Sequence, residues 1–179
     1  MTTYEWLSLI VNTALVGVAF LAVRQININR KQLHLTTLDH CISDFRNIKG
    51  LNRLTEDEEV INRYVDLCNE ELFYFQHQYV PKEVEIEWTE GMIDFLPITN
   101  EKKEILNAAY SIQNLAQQRK KFLKDYPRIR HAFEVKDNYD MQVIYSDDET
   151  VQRERISERK RLIREILRNV ADFDGYTNK

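Results

Sequence analysis

The chain has 179 residues and a net charge of −4, from 25 Lys and Arg against 29 Asp and Glu. This acidic balance excludes a protein that attracts nucleic acid through its overall charge, although it permits a local basic patch. Only 4 glycines and 3 prolines occur, and 30% of the residues are charged. Such a scarcity of turn residues favours helices over a multi-stranded sheet, so the composition predicts an all-α protein.

The stretch Trp6–Val23 is apolar and contains no charged residue. As an α-helix it would measure about 27 Å, close to the hydrocarbon thickness of a bilayer. Glu5 and Arg24 border it, and we therefore predict a single transmembrane helix over residues 1–24. A signal peptide is disfavoured because the preceding residues lack a basic group. A buried helix of a soluble body is the other alternative, and it would usually show a polar face.

One face of this helix is weakly polar. At about 100° per residue, it combines Ser8, Asn12, Val16, Ala19 and Val23. An amide that faces lipid would leave its hydrogen-bonding groups unpaired, so Asn12 predicts that copies of the helix associate through this face or line a pore with it. Thr13 and Gly17, beside this face, form a small-xxx-small pair that permits close helix packing. The alternative is a plain anchor that tolerates one Asn and one Ser.

The distribution of basic residues predicts the orientation. Arg24, Arg30 and Lys31 follow the stretch, whereas the five residues before it include no Lys or Arg. The positive-inside rule then places the C-terminal part in the cytoplasm and the N-terminus outside the inner membrane. Together with three arginines of the last helix, these residues are candidate contacts for lipid head groups or other anions: Arg155, Arg159 and Arg164. Because Glu154, Glu158 and Glu165 are interspersed there, a solvated, ion-paired face is the default, and direct RNA binding is left open.

The rest of the chain is predicted to be a helical bundle continuous with the transmembrane helix. Residues 25–54 form a juxtamembrane helix and connection, 55–175 a cytoplasmic helical domain, and 176–179 a tail. Thr55 and Glu58 match a capping box at the start of a helix that ends before Pro81. The further predicted helices run from Pro81 to Pro97, from Thr99 or Asn100 to Phe122, and from Val151 to Phe173. Met141–Tyr145 is the one run that could be a strand.

The sequence contains no recognisable catalytic motif. Helical ribonucleases of defence systems use an Arg-x(4–6)-His motif, in which the arginine stabilises phosphate charge and the histidine transfers a proton. Arg30 precedes His34 with three residues between them, and Arg128 precedes His131 with two, so neither pair fits. Glu70 and Glu71 point about 100° apart on a helix and do not converge; we expect them to be solvated or structurally paired.

The sequence also predicts no metal ligands and no cofactor. The two cysteines, Cys41 and Cys68, lie in helical patterns and are expected to be packing residues, which agrees with a reducing compartment. No Cys/His cluster has zinc-site spacing, and no metal-binding pair is recognised on one helix face. We therefore expect a protein that is not an enzyme.

The layout of one N-terminal span, a helical cytoplasmic domain and an aromatic-rich central segment (Asn69–Pro81) resembles small bacterial membrane proteins of phage-defence loci. It is similar to the accessory membrane proteins of type VI-B CRISPR systems, which accompany an RNA-guided RNase. That family is a divergent relative of the helical ribonucleases. The resemblance implies a ring-shaped homo-oligomer, such as an octamer, that permeabilises or depolarises the membrane and so enhances antiphage defence. On this sequence, the pore role falls on the polar face described above.

Two other functions remain open at this point. One is a membrane-tethered helical ribonuclease with a degenerate site that would depend on His34 or His131. The other is an anchored binding module, monomeric in detergent, that recruits a partner through its last helix or an aromatic groove.

Overall fold

The computed structural model describes the backbone of residues 3–48, 57–107 and 124–174, with side chains from residue 15 onward within those ranges. The α-helices are α1 (Thr3–Asn47), α2 (Glu58–Gln76), α3 (Lys82–Ile93), α4 (Pro127–Ala132), α5 (Met141–Ile144) and α6 (Gln152–Ala171), and a 3₁₀ turn (Glu149–Val151) precedes α6. No β-strand occurs in the described ranges, where β-type backbone pairing is limited to isolated bridges. The predicted all-α class is therefore confirmed.

The chain divides into two compact units, Met1–Asp39 and His40–Lys179. The first unit contains the greater part of α1. Its polar side chains make local contacts along the helix, such as the 2.9 Å hydrogen bond from Gln25 Nε2 to Asn29 Oδ1. The second unit contains the end of α1 and helices α2 to α6.

Capping and backbone restriction position α2 and α3. Asp57 caps α2, and its side chain accepts hydrogen bonds from the backbone N–H groups of Glu59 and Val60. The predicted capping residue, Thr55, lies outside the described residues. The helix ends at Gln76, earlier than predicted, and Gln78 then adopts a positive φ of 56°. Pro81 precedes α3, where its fixed φ suits a helix start.

Helix α6 is the centre of the second unit, because it contacts each of α2, α3, α4 and α5. Its apolar positions recur every three or four residues, which gives one buried stripe. Leu162, Ile166 and Val170 lie on that stripe and are at most 1% exposed. They pack in a core with residues from the other helices and connections: Leu72, Met92, Ile93, Ile129, Phe133 and Ile144.

Two predicted elements are absent where the sequence suggested them. The helix expected to begin at Thr99 or Asn100 does not begin there, because Thr99 N–H donates to Phe133 O at 2.9 Å and Thr99 O accepts from Val135 N–H at 2.8 Å. Its later part, residues 108–123, lies outside the described residues. The run Met141–Tyr145, which could have been a strand, contains helix α5 (Met141–Ile144) instead; Asp140 caps this helix, and its carboxylate accepts from two backbone N–H groups.

A buried amide fixes the connection after α3. Asn107 Oδ1 accepts from Ile98 N–H at 3.0 Å, and Asn107 Nδ2 donates to Leu96 O at 2.8 Å. Nδ2 also lies 3.0 Å from Tyr145 Oη, which donates to Ile93 O at 2.7 Å. The side chains of Asn107 and Tyr145 therefore supply hydrogen bonds to backbone N–H and C=O groups in this connection.

Candidate functional site

The apolar side chains of α1 between Leu15 and Val23 face outward. Six large ones are 58–70% exposed: Leu15, Val16, Val18, Phe20, Leu21 and Val23. Of the predicted polar face, Val16, Ala19 and Val23 are exposed, whereas the side chains of Ser8, Asn12 and Thr13 lie outside the described residues. A Cβ added at Gly17 would meet no heavy atom within 4 Å, so the helix surface is open at this position.

Within the described part of the chain, no helix has an apolar window long enough to cross a membrane. The predicted span Trp6–Val23 extends into residues whose side chains are outside that part.

The predicted basic residues fall into two groups, one exposed to solvent and one that makes contacts inside the domain. In the exposed group, Arg24, Arg30 and Lys31 lie on α1. On α6, Arg164 is also exposed, with Nε donating to Lys160 O at 3.1 Å.

The other two α6 arginines make internal contacts. Arg159 has a side chain only 12% exposed, paired with Asp94 at 3.1 Å and Glu90 at 3.5 Å. Arg155 donates to Ser146 O at 2.6 Å. Glu165, expected on a solvated face, is instead buried and accepts from Lys136 N–H at 2.8 Å and Tyr139 Oη at 2.6 Å. These side chains stabilise the domain rather than offer a continuous basic surface.

A cluster of three potential ligand groups lies where the end of α1 meets α2. Nε2 of His40 is 3.4 Å from Oδ2 of Asp44 and 3.5 Å from Oε1 of Glu70. One ligand atom from each residue lies within 4.8 Å of the others. Tyr74 Oη donates to the same Glu70 oxygen and orients that carboxylate. We call these residues, His40, Asp44 and Glu70, the His–Asp–Glu cluster.

Sequence reasoning missed this cluster. The spacing of His40 and Asp44 (i, i+4) places them on one helix face, and this was a usable signal. Glu70 could be added only by knowing which face of α2 packs against the end of α1. The structure shows that these groups lie close enough to hold an ion, and the expectation of no metal ligand stays a prediction.

The two adjacent glutamates of α2 have opposite environments. The Glu70 side chain is 38% exposed, whereas Glu71 as a residue is only 7% exposed. Burial, reinforced by the nearby charge of Glu70, raises the pKa of Glu71 to about 8. Glu71 is therefore mostly protonated at neutral pH, and the expectation that it is solvated does not hold.

Glu71 lies in a groove of about 350 Å³ beside the end of α1. The groove is lined by apolar and ionisable side chains that include Cys41, Phe45, Tyr64, Glu71 and Trp88. Cys41 and Cys68 are free thiols, 1% and 0% exposed, as their helical patterns predicted. Burial raises the pKa of the Cys41 thiol to about 12 and that of Cys68 well above its ordinary value. Neither thiol has the environment of a nucleophile.

Arg128 and His131, considered above as ribonuclease residues, both belong to the aromatic packing of the second unit. The Arg128 guanidinium lies 5.2 Å from the ring centroid of Phe73 and 5.5 Å from that of Phe173. It also donates to Asn69 Oδ1 at 3.3 Å. Burial lowers the pKa of Arg128. The His131 ring lies 5.4 Å from the Phe173 ring, so the two side chains share an aromatic neighbour.

Comparison with known proteins adds no relative, since no protein-family model, curated protein or solved structure matches the chain.

Proposed function

We propose that the chain is a single-pass protein of the inner membrane that assembles into a pore through α1, with its helical domain in the cytoplasm. The observation that carries this proposal is the outward-facing apolar surface of α1, where six large side chains are 58–70% exposed. Burying one such side chain away from water contributes about 1.5–3 kcal/mol. Bilayer hydrocarbon and other copies of the helix cover this surface, and the uncharged sequence continues it back to Trp6.

Self-association follows from the polar face of the same helix. An Asn12 amide inside hydrocarbon needs a partner, which other copies of the helix or a water-filled lumen would provide. Gly17 supports close contact between copies, since its surface is open and it carries no side chain. A ring of helices with Ser8, Asn12, Val16, Ala19 and Val23 inward satisfies the amide and keeps the apolar residues outside this face, among them Leu15, Val18 and Leu21, against lipid.

The biological setting of the proposal comes from the resemblance to the type VI-B accessory membrane proteins. We propose that the pore depolarises the cell when an RNA-guided RNase detects phage RNA, and so enhances defence. The pore needs no catalytic residue of its own. The aromatic contacts of Arg128 give no support to the tethered ribonuclease.

The first experiment measures the oligomeric state of the full chain in mild detergent and in lipid nanodiscs, by mass measurement and particle imaging. A closed ring of several copies is expected. A monomer in both environments would overturn the pore and favour an anchored binding module. Complete extraction of the protein from membranes by alkaline carbonate would overturn the membrane assignment itself.

The second experiment measures ion leakage from vesicles that contain the purified protein. We expect Asn12→Leu to reduce leakage at least tenfold, because the lumen or the helix interface loses its polar group. The matched control is Asn27→Leu, an exposed position on α1 beyond the predicted span, and its leakage should equal that of the wild type. Unchanged leakage in Asn12→Leu contradicts the assigned face. Specific RNA cleavage by the wild type, lost in His131→Ala, would support the ribonuclease instead.

A further inference from the structure

We propose that the His–Asp–Glu cluster is a binding site for one divalent transition-metal ion of the zinc class. This site lies in the second unit and is independent of the proposed pore. It uses His40 Nε2, one Asp44 oxygen and one Glu70 oxygen as ligands.

The distances fit such an ion. Zinc binds histidine nitrogen and carboxylate oxygen at about 2.0–2.2 Å in tetrahedral geometry, which separates neighbouring ligand atoms by about 3.4 Å. Nε2 of His40 is 3.4 Å from the Asp44 oxygen and 3.5 Å from the Glu70 oxygen. Both separations exceed the usual N–H···O hydrogen-bond distance of about 2.7–3.2 Å. Nε2 of His40 thus lies at ligand spacing from both oxygens, and the two oxygens lie within 4.8 Å of each other.

The charges of the cluster favour a cation. Two carboxylates face one imidazole nitrogen, and with a neutral imidazole they repel each other. A divalent ion between them compensates both charges, which a single N–H group cannot do. The nitrogen ligand favours zinc-class ions over Mg²⁺, which prefers oxygen ligands in octahedral geometry.

The surroundings resemble those of a metal site in two further respects. Tyr74 Oη donates to the Glu70 oxygen nearest His40, an outer contact of the kind that orients metal ligands. A cavity of about 280 Å³ adjoins the cluster, and its lining includes Asp44, Glu70, Asp66 and Arg63. Three protein ligands beside an open cavity leave a coordination position for water or a small anionic ligand.

The test is a Zn²⁺ titration of the full-length, untagged protein in detergent, after removal of metal with EDTA. We expect one equivalent of Zn²⁺ to bind, with at least tenfold weaker binding in each of His40→Ala, Asp44→Asn and Glu70→Gln. His34→Ala and Asp39→Asn are the matched controls, because they remove the same groups from the same helix outside the cluster, and they should bind as the wild type does. Mg²⁺ should bind at least a hundredfold more weakly than Zn²⁺.

A second measurement uses the wild type alone, so that it does not depend on the folding of variants. Zn²⁺ should protect His40, and not His34, from modification by diethyl pyrocarbonate, as mapped by mass spectrometry. Co²⁺ in place of Zn²⁺ should give the visible absorption of a four-coordinate ion. Absence of stoichiometric Zn²⁺ binding, binding that the three variants leave unchanged, or equal protection of the two histidines would each overturn the proposal. None of these outcomes bears on the oligomeric state or on ion leakage.

Discussion

Helices α1 and α6 use their apolar side chains in opposite ways. On α6, Leu162 and Ile166 are 0% exposed and contribute to the core of the second unit. On α1, side chains of the same type between Leu15 and Val23 are more than half exposed. The apolar side chains of α6 therefore stabilise the fold, whereas those of α1 are free to contact lipid or other copies of the chain. Substitutions in the two helices should accordingly affect different properties.

The largest expected effect is on folding, from Leu162→Ala. Truncating a fully buried leucine removes its transfer free energy and leaves a cavity, which costs about 2–5 kcal/mol. Hydrogen exchange of the α6 amides in the full chain, read by mass spectrometry, measures the loss. Leu21→Ala, at a position 61% exposed, is the control and should leave this exchange unchanged. Equal destabilisation by both variants would remove the contrast between the helices.

The second effect is on membrane insertion, from Leu15→Lys. A lysine near the centre of a spanning helix costs about 2.5–3.5 kcal/mol. We expect a several-fold shift of the protein from the membrane fraction to the soluble fraction, while exchange of the α6 amides stays as in the wild type. Ile26→Lys adds the same charge at an exposed position of α1 beyond the predicted span and should leave fractionation unchanged. A membrane fraction unaffected by Leu15→Lys would count against the span.

The third effect is on the pH dependence of stability, from Glu71→Gln. This variant tests a buried polar group of the second unit, beside the apolar side chains compared above. The pKa of Glu71 is about 8 in the folded protein against an ordinary value of 4.5. Between these values the folded protein retains a proton that the unfolded chain has lost, so wild-type stability falls as the pH rises from 4.5 to 8. The glutamine variant lacks this loss, and we expect it to be more stable by about 3 kcal/mol at pH 7.

The measurement for Glu71→Gln is thermal unfolding of the full chain in EDTA at a series of pH values. The gain in stability should be absent below pH 4.5, increase with pH and level off above pH 8. Glu59→Gln, at a side chain 73% exposed, should show no such pH-dependent gain. A gain that is constant across the range would show that folding does not raise the pKa of Glu71.

Local signals predicted the helices that depend on local contacts. The all-α class, α2, α3 and α6 follow from helical spacing and from residues such as Pro81, and the structure confirms them. The boundaries were less accurate, because the choice of Asp57 as the cap of α2 depends on side-chain hydrogen bonds that spacing does not reveal.

Features that depend on distant contacts were not predictable. Thr99 suits a helix cap, but its backbone bonds instead with Phe133 and Val135. Met141–Tyr145 has strand-like composition, yet Met141–Ile144 is a helix that contacts α6, and Tyr145 Oη donates to Ile93 O. The His–Asp–Glu cluster likewise needs the pairing of two helices. For the cluster, the sequence offered only the spacing of His40 and Asp44, and the pore face of α1 stays a prediction.

The two buried thiols have a practical consequence. Because Cys41 is on α1 and Cys68 on α2, with both at most 1% exposed, an alkylating reagent can modify them only when the packing around them opens. The wild-type chain thus carries two natural reporters of local opening. The order in which they are labelled would show which helix first loses its contacts, with no engineered label.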